Sequence, residues 1–540
     1  MRLKWVLGAI AAIVVLAIAA LLAVPYLVDL PRVQALIATN ASQALGRPVK
    51  FQSMKISALP LPAVELQGLE IAEDPHFGKD AFVRLESGTV RLKLWPLLRG
   101  RVELGDITLK KPVITVVQAA DGRMNISTLG GAAEPSAPRT GRGSAGGGGA
   151  GGAGALLASK VTIDHGVVDY IAHGKGDATS RYRIENLDLT LTGGGSQLAL
   201  KGGFLVKPGD IAVKLDDGTL AVGGAKTLTE APLRGKVTVE AKDVGDAAKA
   251  FVGPSPEFGG ALKGTLALSG TLGSPSAAGD VTVSKPTVTQ VQASCPDPKR
   301  RTLALGDLKL NAAYKDSALS ARPLTTAIGN GTIAGQLVVS LERGTRVQLN
   351  DIGIKSLPLE KVLVDYLCQG YAITGPLDLT GALAFATADM WNTLSGPGTL
   401  RAGPGKVVGP QALALIGGVV RVGGAITSAL NADVPAIAAG SPLEFESITG
   451  TYQIKNGVLS TRDLLYTSKA MKVAISGQYG LANGRMDVDM IVTHGRGELK
   501  ARVTGNAASP SIRVDPATIL RGVDQGKVEK GLGDLLKRIK

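Results

Sequence analysis

Residues 90–114 read VRLKLWPLLRGRVELGDITLKKPVI. Val90, Leu92 and Leu94 alternate with Arg91 and Lys93, and Val102 and Leu104 alternate with Arg101 and Glu103. An apolar side chain at every second position gives an extended strand one apolar and one polar face, a period that no helix matches. After Gly105-Asp106 the apolar positions shift to Ile107 and Leu109, the slip that a bulge or short turn produces.

The alternation recurs along most of the chain, at Leu187/Leu189/Leu191, Val237/Val239, Leu266/Leu268, Val281/Val283, Leu308/Leu310, Val347/Leu349, Leu377/Leu379 and Val488/Met490. Asp121-Gly122, Asp217-Gly218, Asn330-Gly331, Asn456-Gly457 and Asn483-Gly484 punctuate it as hairpin turns would. The pattern predicts a mostly β protein built on a long, curved, mainly antiparallel sheet with a few short helices. Short helices are expected at 243–252, 356–370 and 410–416. Residues 130–154, GGAAEPSAPRTGRGSAGGGGAGGAG, cannot build a core and read as a flexible linker or loop.

Ahead of the sheet lies an uncharged run from Trp5 to Val28, WVLGAIAAIVVLAIAALLAVPYLV. As a helix it is roughly 36 Å long against a hydrocarbon core of about 30 Å, so it is long enough to span a bilayer. Trp5, Leu7, Ile10, Ile13, Val14, Leu16, Ile18, Leu21, Leu22, Val24, Tyr26 and Val28 are its large anchoring side chains. Arg2 and Lys4 precede it, which puts the N-terminus in the cytoplasm and the bulk of the chain across the membrane. A cleaved signal peptide is the alternative; its apolar region runs about 7–15 residues, shorter than this one. Asp29 as cap or just before it, Pro31 in the first turn, apolar residues at helical spacing and Gly46 with Pro48 as stop predict an amphipathic helix over 31–45. A second stripe, Val523, Val528, Leu532, Leu535, Leu536 and Ile539, faces basic residues in a C-terminal tail from 516 to 540.

Composition narrows the function. The chain has 540 residues and a net charge of +14, but that charge is diffuse and only 4% of residues are aromatic, which argues against a nucleic-acid binder. Cys295 and Cys368 are the two cysteines, and their spacing leaves pairing open. The four histidines show no metal-ligand spacing, and no metal or cofactor is expected. GPGKVVG (403–409) and GGAKT (223–227) fail as phosphate loops and read as hairpin loops. No nucleophile motif is present, and the chain reads as a non-enzyme.

A sheet with one apolar face needs a cover. Helices are too few here, and long aliphatic chains are a solution: about sixteen methylenes leaving water gain on the order of 13 kcal/mol, the same as in a bilayer. Val90, Leu92, Leu94, Val102, Leu104, Leu187, Leu189, Leu191, Leu266, Leu268, Leu377 and Leu379 are the candidate lining of such a groove, and lipid acyl chains its expected partner.

With these stretches in view, the chain resembles the AsmA family of bacterial envelope proteins. The resemblance is carried by the N-terminal run, by DLPRVQALIATNASQALGRPVKFQSMKISALPLPAVELQGLEI (29–71), by residues 90–114 and by DGRMNISTL (121–129). Further stretches are SGPGTLRAGPGKVVGPQALALIGG (395–418) and TYQIKNGVLSTRDLLYTSKAMKVAISGQYGLANGRMDVDM (451–490). It implies a single-pass inner-membrane anchor, a periplasmic repeating β-groove, and a role in phospholipid movement and outer-membrane integrity. It also implies a relation to bridge-like lipid-transfer proteins. Met124 stands where relatives often carry Trp, and 130–154 looks like an insertion that puts the continuity of the sheet in doubt. The organisation expected is an anchor (1–28), an AsmA-like first groove segment (29–129), a linker (130–154), a middle groove segment (155–350), an AsmA-like C-terminal region (351–515) and the basic tail, where an envelope protein would dock. Other readings are a scaffold that assists outer-membrane protein assembly by holding a protein strand, and an envelope adhesin or polysaccharide binder.

Overall fold

The computed structural model describes residues 30–57, 63–93, 104–128, 160–173, 179–193, 196–225, 230–340, 345–417, 443–469, 471–494 and 497–515. The anchor 1–28, Asp29, the 130–154 tract and the tail 516–540 lie outside them. Among the described residues no helix is long and apolar enough to cross a membrane. The chain divides into two compact units, residues 1–242 with 263–279, and residues 243–262 with 280–540. Both are mostly β, with curved, mainly antiparallel sheets and few short helices.

The first unit opens with α1 (Leu30–Leu45), ended by Gly46 at φ 68°, the left-handed residue that closes many helices. Its strands are β1 (Val49–Lys50), β2 (Ser53–Ser57), β3 (Ala63–Ala72), β4 (Ala81–Leu92), β5 (Leu104–Gln118), β6 (Lys160–His173), β7 (Thr179–Thr192), β8 (Gln197–Lys207), β9 (Ile211–Ala221) and β10 (Leu233–Ala241). Each pairs with the next in line from β3 onward, and β1 and β2 both pair with β3. The slip after Gly105-Asp106 is a bulge: Val90 faces Ile107 while Leu92 faces Leu104. The pair β5–β6 is parallel, from Asp106↔Lys160 to Gln118↔Ala172. A parallel pair needs a long crossover, and residues 119–159, with the glycine-rich tract, supply it. The two strands flanking the tract are therefore direct neighbours. Asp217-Gly218, expected as a turn, lies inside β9. A Cβ at Gly218 would sit 2.8 Å from Leu215 and 2.9 Å from Leu200, so this glycine serves close packing rather than a reversal.

β11 (Glu257–Gly270) and β12 (Pro275–Val291) contribute residues to both units. The second unit contains α2 (Gly245–Val252) and the strands β13 (Arg300–Ala304), β14 (Leu308–Lys315), β15 (Ala318–Ile328), β16 (Gly331–Ser340), β17 (Arg346–Pro358), β18 (Pro376–Ala386), β19 (Gly396–Ala402), β20 (Gly405–Val407) and β21 (Leu443–Phe445). It ends with β22 (Ser447–Lys455), β23 (Val458–Thr467), β24 (Lys472–Gly480), β25 (Arg485–His494), β26 (Gly497–Asn506) and β27 (Ser509–Val514). β14 to β19 and β22 to β27 run as one antiparallel succession, β19 pairing with β22, while β20 and β21 form a separate small ribbon. Asn456-Gly457 makes its hairpin with both residues at positive φ (50° and 73°), the geometry that favours this dipeptide. The helix expected over 356–370 is shorter: β17 continues to Pro358, and a π-helix covers only Glu360–Tyr366. Pairing of Leu357 with Leu377 and of Pro358 with Pro376 overrides the local helix-start signal. Residues 410–417 are helical.

Cys295 and Cys368 form a disulfide, with Cα atoms 5.3 Å apart, that ties the segment after β12 to the end of the π-helix. Two small clusters stand out among the buried apolar side chains. One is Leu200, Leu220, Val222, Ala231 and Leu233 in the first unit; the other is Val407, Ala412, Phe445, Tyr466 and Val473 in the second.

Candidate binding face of the sheet

Paired residues on neighbouring strands share a face, so the register shows what each face is made of. One row of the first unit runs Ile56–Val64–Val90–Ile107–Val161–Leu191–Leu200 across seven strands. The row beside it is Met54–Leu66–Gly88–Leu109–Ile163–Leu189–Gly202–Leu215–Val237. The row between them, on the opposite face, is Lys55–Glu65–Thr89–Thr108–Thr162–Thr190–Lys201. In these rows one face is apolar and the other polar.

Further along the strands the sequence parity reverses, yet the apolar face continues as Val49–Ile71–Val83–Ile114–Val168–Ile184–Val206–Ile211. The reversal falls at left-handed residues on neighbouring strands, Gly68 (φ 60°), Lys111 (47°), His165 (53°) and Asn186 (51°), with the register shifting beside the last two. An added residue turns the rest of each strand over, and sequence and bulge together keep the apolar side chains on one side. A Cβ at Gly88 of β4 would lie 3.0 Å from Leu85, three residues back, so both sit on the same face. Several bulges share a cap. The N–H of His165 donates to Asp188 (2.9 Å), that of Lys285 to Asp307 (3.1 Å) and that of Ser356 to Asp378 (2.8 Å), each acceptor lying at or beside the following strand.

The second unit repeats the arrangement. Its rows include Ala312–Ala321–Leu337–Leu349–Leu383 and Leu357–Leu377–Ala402–Ile448–Tyr466–Val473–Val492–Leu499.

Val90, Leu187, Leu189, Leu191, Leu266, Leu268, Leu377 and Leu379 are all half-buried, whereas a strand inside a two-layer core would bury such residues fully. Leu268 packs against the small cluster of the first unit. Leu92 pairs with Leu104; Leu94 and Val102, like the anchor side chains from Trp5 to Val28, fall outside the described residues.

A buried polar clamp fixes the N-terminal end of this face. Arg47, just past α1, donates from Nη1 to Glu73 Oε1 (2.9 Å) and from Nη2 to the Asn125 carbonyl (2.5 Å) and Thr128 Oγ1 (2.8 Å). Asn125 Nδ2 donates to Glu73 Oε2 (2.5 Å) and to the Thr115 carbonyl (2.8 Å), and its Oδ1 accepts the N–H of Val117 (3.0 Å). Arg47 also lies 4.7 Å over the Phe82 ring. Sequence reading singled out neither Arg47 nor Asn125 as a functional residue. Their one legible signal was that both belong to short polar motifs, Gly-Arg-Pro-Val and Met-Asn-Ile-Ser, that flank apolar runs.

Asp164, His165 and Asp188 bring their ligand-type atoms within 4.8 Å of one another on the exposed polar face, the one such group among the described residues. His165 Nδ1 lies 2.6 Å from Asp164, and this hydrogen bond, followed by the charge of Asp188, holds the imidazole above its ordinary range. The cluster serves the bulge at His165. The larger cavity, about 640 Å³, is an open hollow lined by Thr380, Gly398, Thr399, Thr451, Tyr452 and Arg462, which offers hydroxyls and one guanidinium.

The sequence profile of the AsmA family matches residues 1–294, just over half of the chain. The chain belongs to the AsmA family. No curated protein and no solved structure matches it. In this AsmA-family chain the match takes in the whole first unit and stops one residue before Cys295. The family resemblance of 395–418 and 451–490 therefore rests on those stretches alone, whereas the clamp and the apolar rows of the first unit lie within the matched span.

Proposed function

We propose that this protein is an inner-membrane-anchored, periplasmic lipid carrier that holds phospholipid acyl chains along the apolar face of its sheet and helps move them between the envelope membranes. The observation that carries the reading is the succession of apolar rows in the first unit, most of their residues half-buried and with no second layer of strands over them among the described residues, opposite a polar face. Family membership supports an envelope role in general. The Cys295–Cys368 disulfide supports an oxidising compartment, which fits a periplasmic chain beyond an N-terminal apolar run. Transfer between bilayer and groove is nearly neutral in free energy, so the face lets lipid slide without chemistry, and we infer a non-catalytic carrier.

The test uses the full-length chain in its own membrane, with photo-methionine at position 189 or at 190. Leu189 lies in an apolar row and Thr190 in the polar one. On irradiation, Leu189→Met yields phospholipid adducts and Thr190→Met does not. Protein adducts at 189 in place of lipid would instead support the strand-holding scaffold.

A further inference from the structure

In the second unit the apolar face is not open along its whole length. β20, the helical residues 410–417 and β21 fold back onto the sheet. From them Val407, Ala412, Leu413, Ile416, Leu443 and Phe445 pack against Ile448, Tyr466, Val473, Ile475, Met490 and Val492, which are members of the apolar rows of β22 to β25. The Phe445 and Tyr466 rings stack at 5.8 Å, and Tyr466 Oη donates to the Glu444 carbonyl (3.3 Å). The fold-back is fastened on both sides. Ile373 bridges to Val407, the N–H of Thr374 donates to the Lys406 carbonyl (2.8 Å), and Tyr371 Oη reaches the Ala507 carbonyl beyond β26 (2.6 Å). Where it lies, Tyr466 and Val473 are buried; away from it, on β16 to β18, Leu337, Leu349 and Leu383 of the same kind of row are half-buried.

We infer that residues 405–417 and 443–445 are a plug that ends the acyl-binding face of the second unit. Their side chains occupy the rows that a lipid tail would otherwise cover, so acyl chains are held on β14 to β19 and are excluded from β22 to β25. The plug and a lipid tail offer the sheet the same apolar contact, and they compete for one surface. Loosening the plug therefore lengthens the binding face. This inference rests on the lipid-carrier reading, and the two are separable by position.

Met490 lies under the plug, so labelling with photo-methionine probes it in the unaltered sequence. Leu349→Met, a volume-conserving exchange, reports on the uncovered rows in the same full-length, membrane-embedded protein. On irradiation, position 349 gives phospholipid adducts, while Met490 gives internal cross-links to peptides from 405–417 or 443–445 and at least tenfold less lipid. Adding Phe445→Ala to a chain that keeps its lipid adduct at 349 raises lipid labelling of Met490 several-fold. Lipid at Met490 of the unaltered chain at the level seen at 349 overturns the plug. So does a Phe445→Ala chain with lipid at 349 and no gain at Met490. Lipid at 189 with none at 349 overturns the placement of acyl chains on β14 to β19, and absence of lipid at both positions refutes the carrier reading itself.

Discussion

Glu73→Ala tests how α1 is held to the sheet. The Arg47–Glu73 pair is buried, with side chains 4% and 3% exposed, and Asn125 donates to the second carboxylate oxygen. The other acceptors of Arg47, the Asn125 carbonyl and Thr128 Oγ1, carry no charge, so removing Glu73 leaves a buried guanidinium without its carboxylate and takes one partner from Asn125. Breaking a buried pair on one side costs about 3–5 kcal/mol, because the remaining charge stays desolvated. A two-unit chain does not unfold in one step, so the cost is read locally, by hydrogen exchange of peptides from 30–45 and 113–118. At about 1.4 kcal/mol per decade, protection there falls roughly 10²- to 4 × 10³-fold, while peptides of the second unit are unchanged. The double change Arg47→Met with Glu73→Leu removes both charges and recovers most of the protection. A loss below tenfold in Glu73→Ala, or a double variant as weak as the single, refutes the clamp.

Leu189→Lys abolishes lipid co-purification while circular dichroism stays native, and Thr190→Lys, one residue along on the polar face, changes neither. Asp164→Asn removes the largest cause of the raised His165 midpoint, so NMR titration of histidine-labelled protein shows that midpoint moving down toward the ordinary range. Because the folded-state value is raised, the stabilisation linked to His165 is present at low pH and is lost as pH rises through that midpoint. Cys295→Ala with Cys368→Ala opens a loop with a sequence separation of 73, and the chain-entropy estimate is a loss of about 4 kcal/mol. Hydrogen exchange then rises around 292–299 and 360–368, and a reductant reproduces the effect in the unaltered protein.

Much of this architecture could be read from local pattern. The alternation at 90–94 and 187–191 specifies strands and their faces without any tertiary information, and the proline and glycine around α1 specify a helix within one residue of the observed start. The slip after Gly105-Asp106 marked a true bulge. What stayed hidden depends on partners distant in sequence. Glu73 and Asp188 look like surface carboxylates until the register brings Arg47 to one and the His165 N–H to the other. Asp217-Gly218 carries a turn signature, but close packing against Leu200 and Leu215 outweighs it. The Ser356-Leu357-Pro358 start signal lost to pairing with β18. The helix at 410–417 was legible, but its folding back with β20 onto the sheet was not, because only the sheet beneath gives its apolar residues a place.

The parallel junction of β5 and β6 has a consequence for how such a sheet can change over time. Every hairpin fixes the phase of the next strand, so an insertion in a tight turn would rotate all later rows out of alignment. At the junction, strand phase is set by eleven paired positions and not by the connecting chain. Lengthening that connection costs only about 0.6 kcal/mol per doubling. The glycine-rich tract thus occupies a seam at which the chain can gain or lose residues, or accept a cargo sequence, while the apolar rows on either side stay in step.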